Sequence, residues 1–491
     1  MQSHPRVSPI PKILLFVCLV LLLSIAPKSF SVESGLRRAR IAQEWGYWEA
    51  AADGLRQAVE REPWRKGLWE ELGRAEYYAG RSAEALDALR TAAQQDALSP
   101  QGRFLMGEVS LSMGDAEAAD AAWLAVIGYA CEDGSQGVDN DLLGRAYERL
   151  TALRSSRSDF EGATRILSDW YGSRASDAQA AYRYGLHLSA TTPEEAEPVL
   201  IEAAGRDAVY SDRVQVLRSG LALYAVAEQP AYGWLMVGRS LASVDEWQLA
   251  ERTFRQAVEL EPEYAEAWAF LSEARTHTGG SGQPEMERAL ALAPRSPVVN
   301  ALHALGLRRQ GRYADALVYL QAVTEQEPDE PFWLVETANT LVAQGDLMVA
   351  RDYYQKAAEL EPANPTYWLA LAMFSVDYNY DIRGVGIPAA RQAVLLAPES
   401  AAALDGMGWA LANLDDAATG ERFLQQALAA DPTYSPANLH LAQIYLNRQQ
   451  SGEAYDYLKQ AAAQTGAGGS LEAAASETAR RLLEQYFNED W

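Results

Sequence analysis

From Ala231 onward, apolar and small residues fall on two helical faces in every stretch of about thirty-four residues. Trp234, Val237, Gly238 and Leu241 share one face of a first helix, and Ala250, Phe254 and Ala257 share one face of a second. Polar segments such as Gln310-Gly311-Arg312 and Gln344-Gly345-Asp346 separate the two, each with a glycine able to take the left-handed conformation that ends a helix. The pair then recurs. Pro262, Pro294, Pro328, Pro362, Pro398 and Pro432 stand 32, 34, 34, 36 and 34 residues apart. Ala257, Ala289, Ala357, Ala393, Ala427 and Ala461 keep the same step, each five places before a proline or before the place where the next would fall. The pattern predicts an all-α chain of helical hairpins.

Seven good units cover 231–466, and three fair ones run from 32 to about 133. Two degenerate units occupy 140–208, so an N-terminal lobe of 32–208 is expected beside the regular array. Between them, 209–230 holds one apolar helix, Ser211 to Ala227, read as an unpartnered joint. Residues 470–491 read as a capping helix, with Leu471, Ala474, Ala475, Ala479, Leu482, Leu483 and Tyr486 on its covered side, reached through Gly466, Gly468 and Gly469. Glycine or alanine at the eighth, twentieth and twenty-seventh places lets helices approach, and bulky residues fill the space between them. No hairpin buries its apolar face alone, so neighbours must stack into one continuous core. The rhythm breaks at His277–Pro284, where the second helix should start late, and at Asp381–Pro388, where Gly384 and Gly386 suggest a projecting loop.

These columns resemble the tetratricopeptide-repeat family, whose unit carries Trp, Leu, Gly and Tyr, then Ala, Phe, Ala and Pro, at fixed offsets. Residues 231–264 supply Trp234, Val237, Gly238, Leu241, Trp247, Ala250, Phe254, Ala257 and Pro262 in that order. The resemblance implies an α-α superhelix, a solenoid of about 10–12 hairpins. It also implies a concave groove lined by the first helix of each hairpin at the second, fifth, ninth, twelfth and thirteenth places. Carried onto this chain, that lining includes Leu235, Arg239, Phe270, Leu305, Phe332, Val335, Asn339, Leu369, Met373, Trp409 and Leu439. Much of it is apolar, which suits a helix or an extended peptide from a protein partner. The family's clamp for acidic chaperone tails is not spelled here, since Val335 stands where a lysine should precede Asn339.

Charge and the N-terminus then restrict the setting. The chain of 491 residues carries a formal charge of −25, which opposes binding to nucleic-acid phosphates. Arg6 and Lys12 precede an apolar run from Ile13 to Ala26, and Pro27, Ser29 and Ser31 follow it. Residues 1–31 therefore read as a signal peptide cut after Ser31, or as a single-pass anchor touching the membrane through 13–26. Either form exports the body, so an extracytoplasmic location is expected. Cys18 lies within that run and Cys131 stands alone, so the folded body has no internal disulfide.

Catalytic and metal-binding constellations do not assemble in the sequence. His187, His277, His303 and His440 lack one-turn spacing for a metal helix, and no cysteine cluster assists them. Gly384-Val385-Gly386 has neither a third glycine nor a preceding strand. Cys131 adjoins Glu132 and Asp133, which blunt a thiolate. No catalytic residue, cofactor or metal is expected. Two functions remain. The first is a non-catalytic scaffold that binds protein partners of an envelope assembly. The second is a glycan-handling component of a polysaccharide export system, suggested by 13 Trp and 24 Tyr, although Trp69, Trp234, Trp268 and Trp368 fall on the core-forming fourth place.

Overall fold

The computed structural model describes residues 32–132, 139–174, 176–414, 416–463 and 470–488. The expected leader 1–31 and the glycine link at 466–469 lie outside them. Among the described residues every regular element is helical, and the helices alternate as antiparallel pairs.

Contacts divide the chain into two compact units, Met1–His187 and Leu188–Trp491. The first holds the hairpins 32–44 with Trp48–Arg61, Leu68–Tyr78 with Ser82–Gln94, Pro100–Ser112 with Ala116–Glu132, and Asn140–Ser156 with Phe160–Ser173. The division falls within helix Ala178–Thr191, which Pro193–Arg206 follows. In the second unit, seven pairs run from Pro230–Ser243 with Trp247–Leu260 to Ser435–Asn447 with Ser451–Ala462.

One steric relation recurs in both units. Gly73 faces Leu89, Gly107 faces Trp123, Gly238 faces Phe254 and Gly408 faces Leu424, always sixteen residues on. A Cβ at Gly238 would stand 2.4 Å from Phe254 Cε1, so the glycine is what lets the two helices of the hairpin close around a buried ring. Packing of this kind gives each hairpin a dry seam. The next hairpin covers the outer side, where fully buried Ala257, Ala357, Ala393 and Ala427 lie, and the last helix covers Ala461.

A second relation fastens successive hairpins together. The indole Nε1 of Trp69, Trp268 and Trp368 donates to the carbonyl of Pro63, Pro262 and Pro362 at 3.0, 2.9 and 3.0 Å. Each bond reaches back six residues, from the fourth place of one unit to the proline that closes the previous one. Proline cannot continue the helix, and its carbonyl is left open to this donor. Where asparagine replaces tryptophan, Asn300 Nδ2 makes the same bond to Pro294 at 3.4 Å. A bond of this type contributes about 1 kcal/mol.

Three local expectations change. Helix Ser211–Val226 is not unpartnered, since it packs against Pro193–Arg206 on one side and Pro230–Ser243 on the other. Its Gly220 lies so close to the latter that a Cβ would meet Ser240 Oγ at 2.4 Å. The segment after Asp381 does not project. Ile382–Gly386 forms one π-helical turn leading directly into helix Ile387–Leu396, with Ile382 and Gly386 buried and Asp381 accepting from the Gly384 amide at 3.0 Å. Gly386 serves close approach, because a Cβ there would meet Ser375 Oγ at 2.8 Å. In the last helix, Ser470–Phe487, the buried face is Ala475, Ser476, Ala479 and Leu483, whereas Leu471 and Tyr486 are exposed. The expected late second helix after His277 does begin at Gln283, behind Gly279 and Gly282 with φ of 92° and 61°.

Candidate partner-binding face

In the second unit, first helices of successive hairpins pack side by side, which brings their fifth, ninth and thirteenth places into neighbouring rows. Pro230–Ser243 contributes Arg239, whose guanidinium lies 5.4 Å from the centre of the Phe270 ring on Ala265–His277. Arg239 is exposed and makes no ion pair among the described residues. One helix further on, Glu273 receives a two-pronged bond from Arg309, and His277 Nε2 lies 3.2 Å from Glu273 and 3.3 Å from Arg309. The His277 ring stacks on Trp247 at 3.7 Å, and beside it an open depression of about 520 Å³ is lined by Asp245, Gln248 and Thr278.

The middle rows combine a polar chain with an apolar strip. Arg308 pairs with Glu336 at 2.9 Å, and Glu336 accepts from Asn339 Nδ2 at 3.3 Å. Asn339 Oδ1 in turn accepts from the Tyr354 hydroxyl at 2.5 Å. Burial pushes the Tyr354 phenol well up, so this donor stays protonated. Alongside, Leu305, Val335, Leu369 and Met373 are half-buried and Phe332 is 46% exposed. Leu369 lies over the backbone of Gly406, where a Cβ would meet its Cδ1 at 2.5 Å.

The last rows are acidic. His440 Nδ1 lies 2.8 Å from Asp405 Oδ1, both groups buried, and Trp409 stacks on the His440 ring at 4.2 Å. Asp377, one helix earlier, faces this group with no cation paired to it among the described residues. Crowding by protein raises its carboxyl above the usual range, while His440 pulls it down and Asp405 adds to the rise.

Of the eleven residues expected in the groove, Leu235 and Leu439 are buried, at 0% and 6% exposure. They are core, since Leu439 packs against the last helix through Ala475, Ala479 and Leu483, and neither leaves surface for a partner. The other nine keep some exposed surface. Sequence spacing missed Asp377, Asp405, His440 and Arg309. The thirteenth place could have signalled Asp377, His277 and Arg309, which all hold it. Among the described residues there is no group of three His, Cys, Asp or Glu side chains placed to hold a metal ion, and no helix long and apolar enough to cross a membrane.

A chain built of stacked helical hairpins, with small residues admitting large ones at a fixed offset, belongs to the class of α-hairpin repeat proteins. The tetratricopeptide-repeat family model matches residues 301–365 and 335–374. The chain carries tetratricopeptide repeats. A model of the bacterial transcriptional activator domain matches 31–98, which spans the first two hairpins. No curated protein matches the sequence. Among solved structures, the chain is similar to the APC/C hetero-tetramer Cut9–Hcn1, with 15% identity over 93% of this chain and 98% of that one, and a TM-score of 0.40. It is similar to yeast Tom70, with 14% identity over 93% and 97% and a TM-score of 0.40. It is also similar to Pseudomonas aeruginosa pilF, with 17% identity over 43% and 97% and a TM-score of 0.35. Superpositions this loose carry nothing about partners.

Proposed function

We propose that the chain is a non-catalytic scaffold that holds a protein partner, as a helix or an extended peptide, along the first helices of its second unit, on the extracytoplasmic side of a membrane. The observation that carries this reading is the strip of Phe270, Leu305, Phe332, Val335, Leu369, Met373 and Trp409 on adjoining helices, still reachable by solvent. Leaving such a strip wet costs free energy that a partner recovers. Asn339 supplies a polar contact within it. Charges at its borders add orientation: Arg239 is an uncompensated cation at one end and Asp377 an uncompensated acid toward the other. A partner segment with an acid near Arg239 and a base near Asp377 is complementary. The export element rests on the basic, acid-free start and the apolar run 13–26.

The glycan reading loses support, because Trp69, Trp268 and Trp368 are half-buried and their indole N–H groups are already bonded to proline carbonyls. A role on DNA, which the match over 31–98 brings to mind, is opposed by the net charge of −25. Changing Phe332, Met373 and Trp409 together to serine should abolish crosslinked partners while circular dichroism keeps its helical form. Phe332→Glu alone, at an exposed ring, should weaken capture without touching the Trp409–His440 stack. Partners retained by both variants would remove the strip from the account. For location, alkaline phosphatase fused after Trp491 should be active in intact cells, and an inactive fusion would place the body inside.

A further inference from the structure

We propose that His277 is a proton-operated switch where three hairpins meet: neutral, it shares Arg309 with Glu273, and protonated, it draws Glu273 away from Arg309 and stacks on Trp247 as a cation. The proposal is independent of the partner strip. His277 ends helix Ala265–His277, the first helix of its hairpin. Trp247 opens the second helix of the hairpin before, and Arg309 ends the first helix of the hairpin after. One imidazole therefore touches both neighbours of its own repeat.

The surroundings of Nε2 support two arrangements. Arg309 Nη1 lies 3.3 Å away and Glu273 Oε1 3.2 Å away. A guanidinium nitrogen only donates and a carboxylate oxygen only accepts, so Nε2 can serve one of them at a time. Without the extra proton, Nε2 accepts from Arg309, whose two-pronged bond to Glu273 stays intact. With it, Nε2–H donates to Glu273, and two cations face each other across 3.3 Å. Arg309 then loses part of its hold on Glu273, the bond that ties helix Ala265–His277 to helix Pro297–Arg309. The same proton strengthens the earlier joint. The rings of His277 and Trp247 lie 3.7 Å apart with an interplanar angle of 4°, and an imidazolium is drawn to an indole face.

Most other charges on the helices packed around the ring already have partners. Glu251 of Trp247–Leu260 accepts from the Thr278 hydroxyl at 2.7 Å and pairs with Arg255, and Asp245 just before that helix accepts from Trp247 Nε1 at 2.7 Å. Glu285 of Gln283–Leu292 is taken by Arg275. On Pro297–Arg309, Arg308 is taken by Glu336 and His303 lies edge-on to Tyr319. Arg239 of Pro230–Ser243 lies over Phe270. Asp245, Glu246 and Glu251 favour the protonated ring from a distance, while Glu273 and Arg309 act on it in contact and in opposite senses. His277 is exposed beside the open depression, so water delivers the proton, and imidazole is the side chain that changes charge between about pH 5 and 8.

The test reads tryptophan emission of the full chain across that pH range. The emission lost on Trp247→Phe, taken separately in each background, isolates Trp247 from the other indoles, including the Trp409–His440 stack. A protonated imidazole quenches an indole it touches, so the Trp247 component should dim on acidification and stay level in His277→Gln. Arg309→Gln removes the repelling cation and should raise the midpoint by about half a pH unit or more. Glu273→Gln removes the attracting acid and should lower it by a similar amount. A stacked histidine with no part in a switch would keep the same midpoint in both. Stability gives a second readout: Arg309→Gln should lower the urea midpoint more at the alkaline end than at the acid end, because acid has already weakened the native bond. Circular dichroism checks that each variant keeps its helices. A Trp247 component level with pH in the native chain, midpoints that do not separate, or equal urea losses at the two ends would each overturn the proposal.

Discussion

At the C-terminal end of the chain, helix Ser470–Phe487 lays Ala475, Ala479 and Leu483 against Leu439, Ala442, Leu458 and Ala461, and the last hairpin is covered by its own polypeptide. At the N-terminal end, helix 32–44 covers its hairpin with Val32, Leu36 and Ala39 but turns Ile41 and Trp45 outward. Both ends face the same problem, since a stacked repeat always leaves one apolar side without a neighbour. One end solves it with an added amphipathic helix, and the other leaves Ile41 and Trp45 exposed on the outer side of its first helix. The contrast teaches that a terminal repeat is shaped by what it must meet, while interior repeats are shaped by each other.

Substitutions can break or sharpen this contrast. Leu483→Ala opens a cavity in the sealed end and should cost about 3 kcal/mol, read by urea unfolding, with hydrogen exchange rising in 435–462 first. Gly238→Ala, an interior control, forces a methyl against Phe254 and should cost about 2 kcal/mol in the same measurement. Trp268→Phe keeps the ring but removes the bond to Pro262, for a loss of about 1 kcal/mol. Ile41→Ser with Trp45→Ser should change stability by no more than about 0.5 kcal/mol, because Trp45 is 72% and Ile41 46% exposed. A large loss from that last pair would mean that the outer face is structural, and the contrast between the ends would fail.

The fold was legible because its rules are one-dimensional. Period, proline column and small-residue column each follow from a helix pair of fixed length, so Gly238 and Phe254 announce their contact by spacing alone. What the spacing did not reveal depends on distances between units. The bond from Trp268 to Pro262 joins two columns that each looked complete. Gly386 resembled part of a loop because close approach to Ser375 leaves the same residue type as a turn. Helix Ser211–Val226 looked solitary because its neighbours on either side belong to different repeats. In the candidate site, the apolar places were readable as a pattern, but burial was not, and Leu235 and Leu439 proved to be core. Asp405 and His440 lie 35 residues apart on the first helices of successive hairpins, and Asp377 another 28 before, so their meeting needs three dimensions.

The most direct test of the account places a photoreactive amino acid at single positions of the full chain in intact cells. Phe332 and Met373 report the first-helix strip, and Val318, 67% exposed on a second helix, reports the opposite kind of surface. The account predicts one protein crosslinked from Phe332 and Met373 and not from Val318. Crosslinks from Val318 alone, or from none of the three, would contradict it.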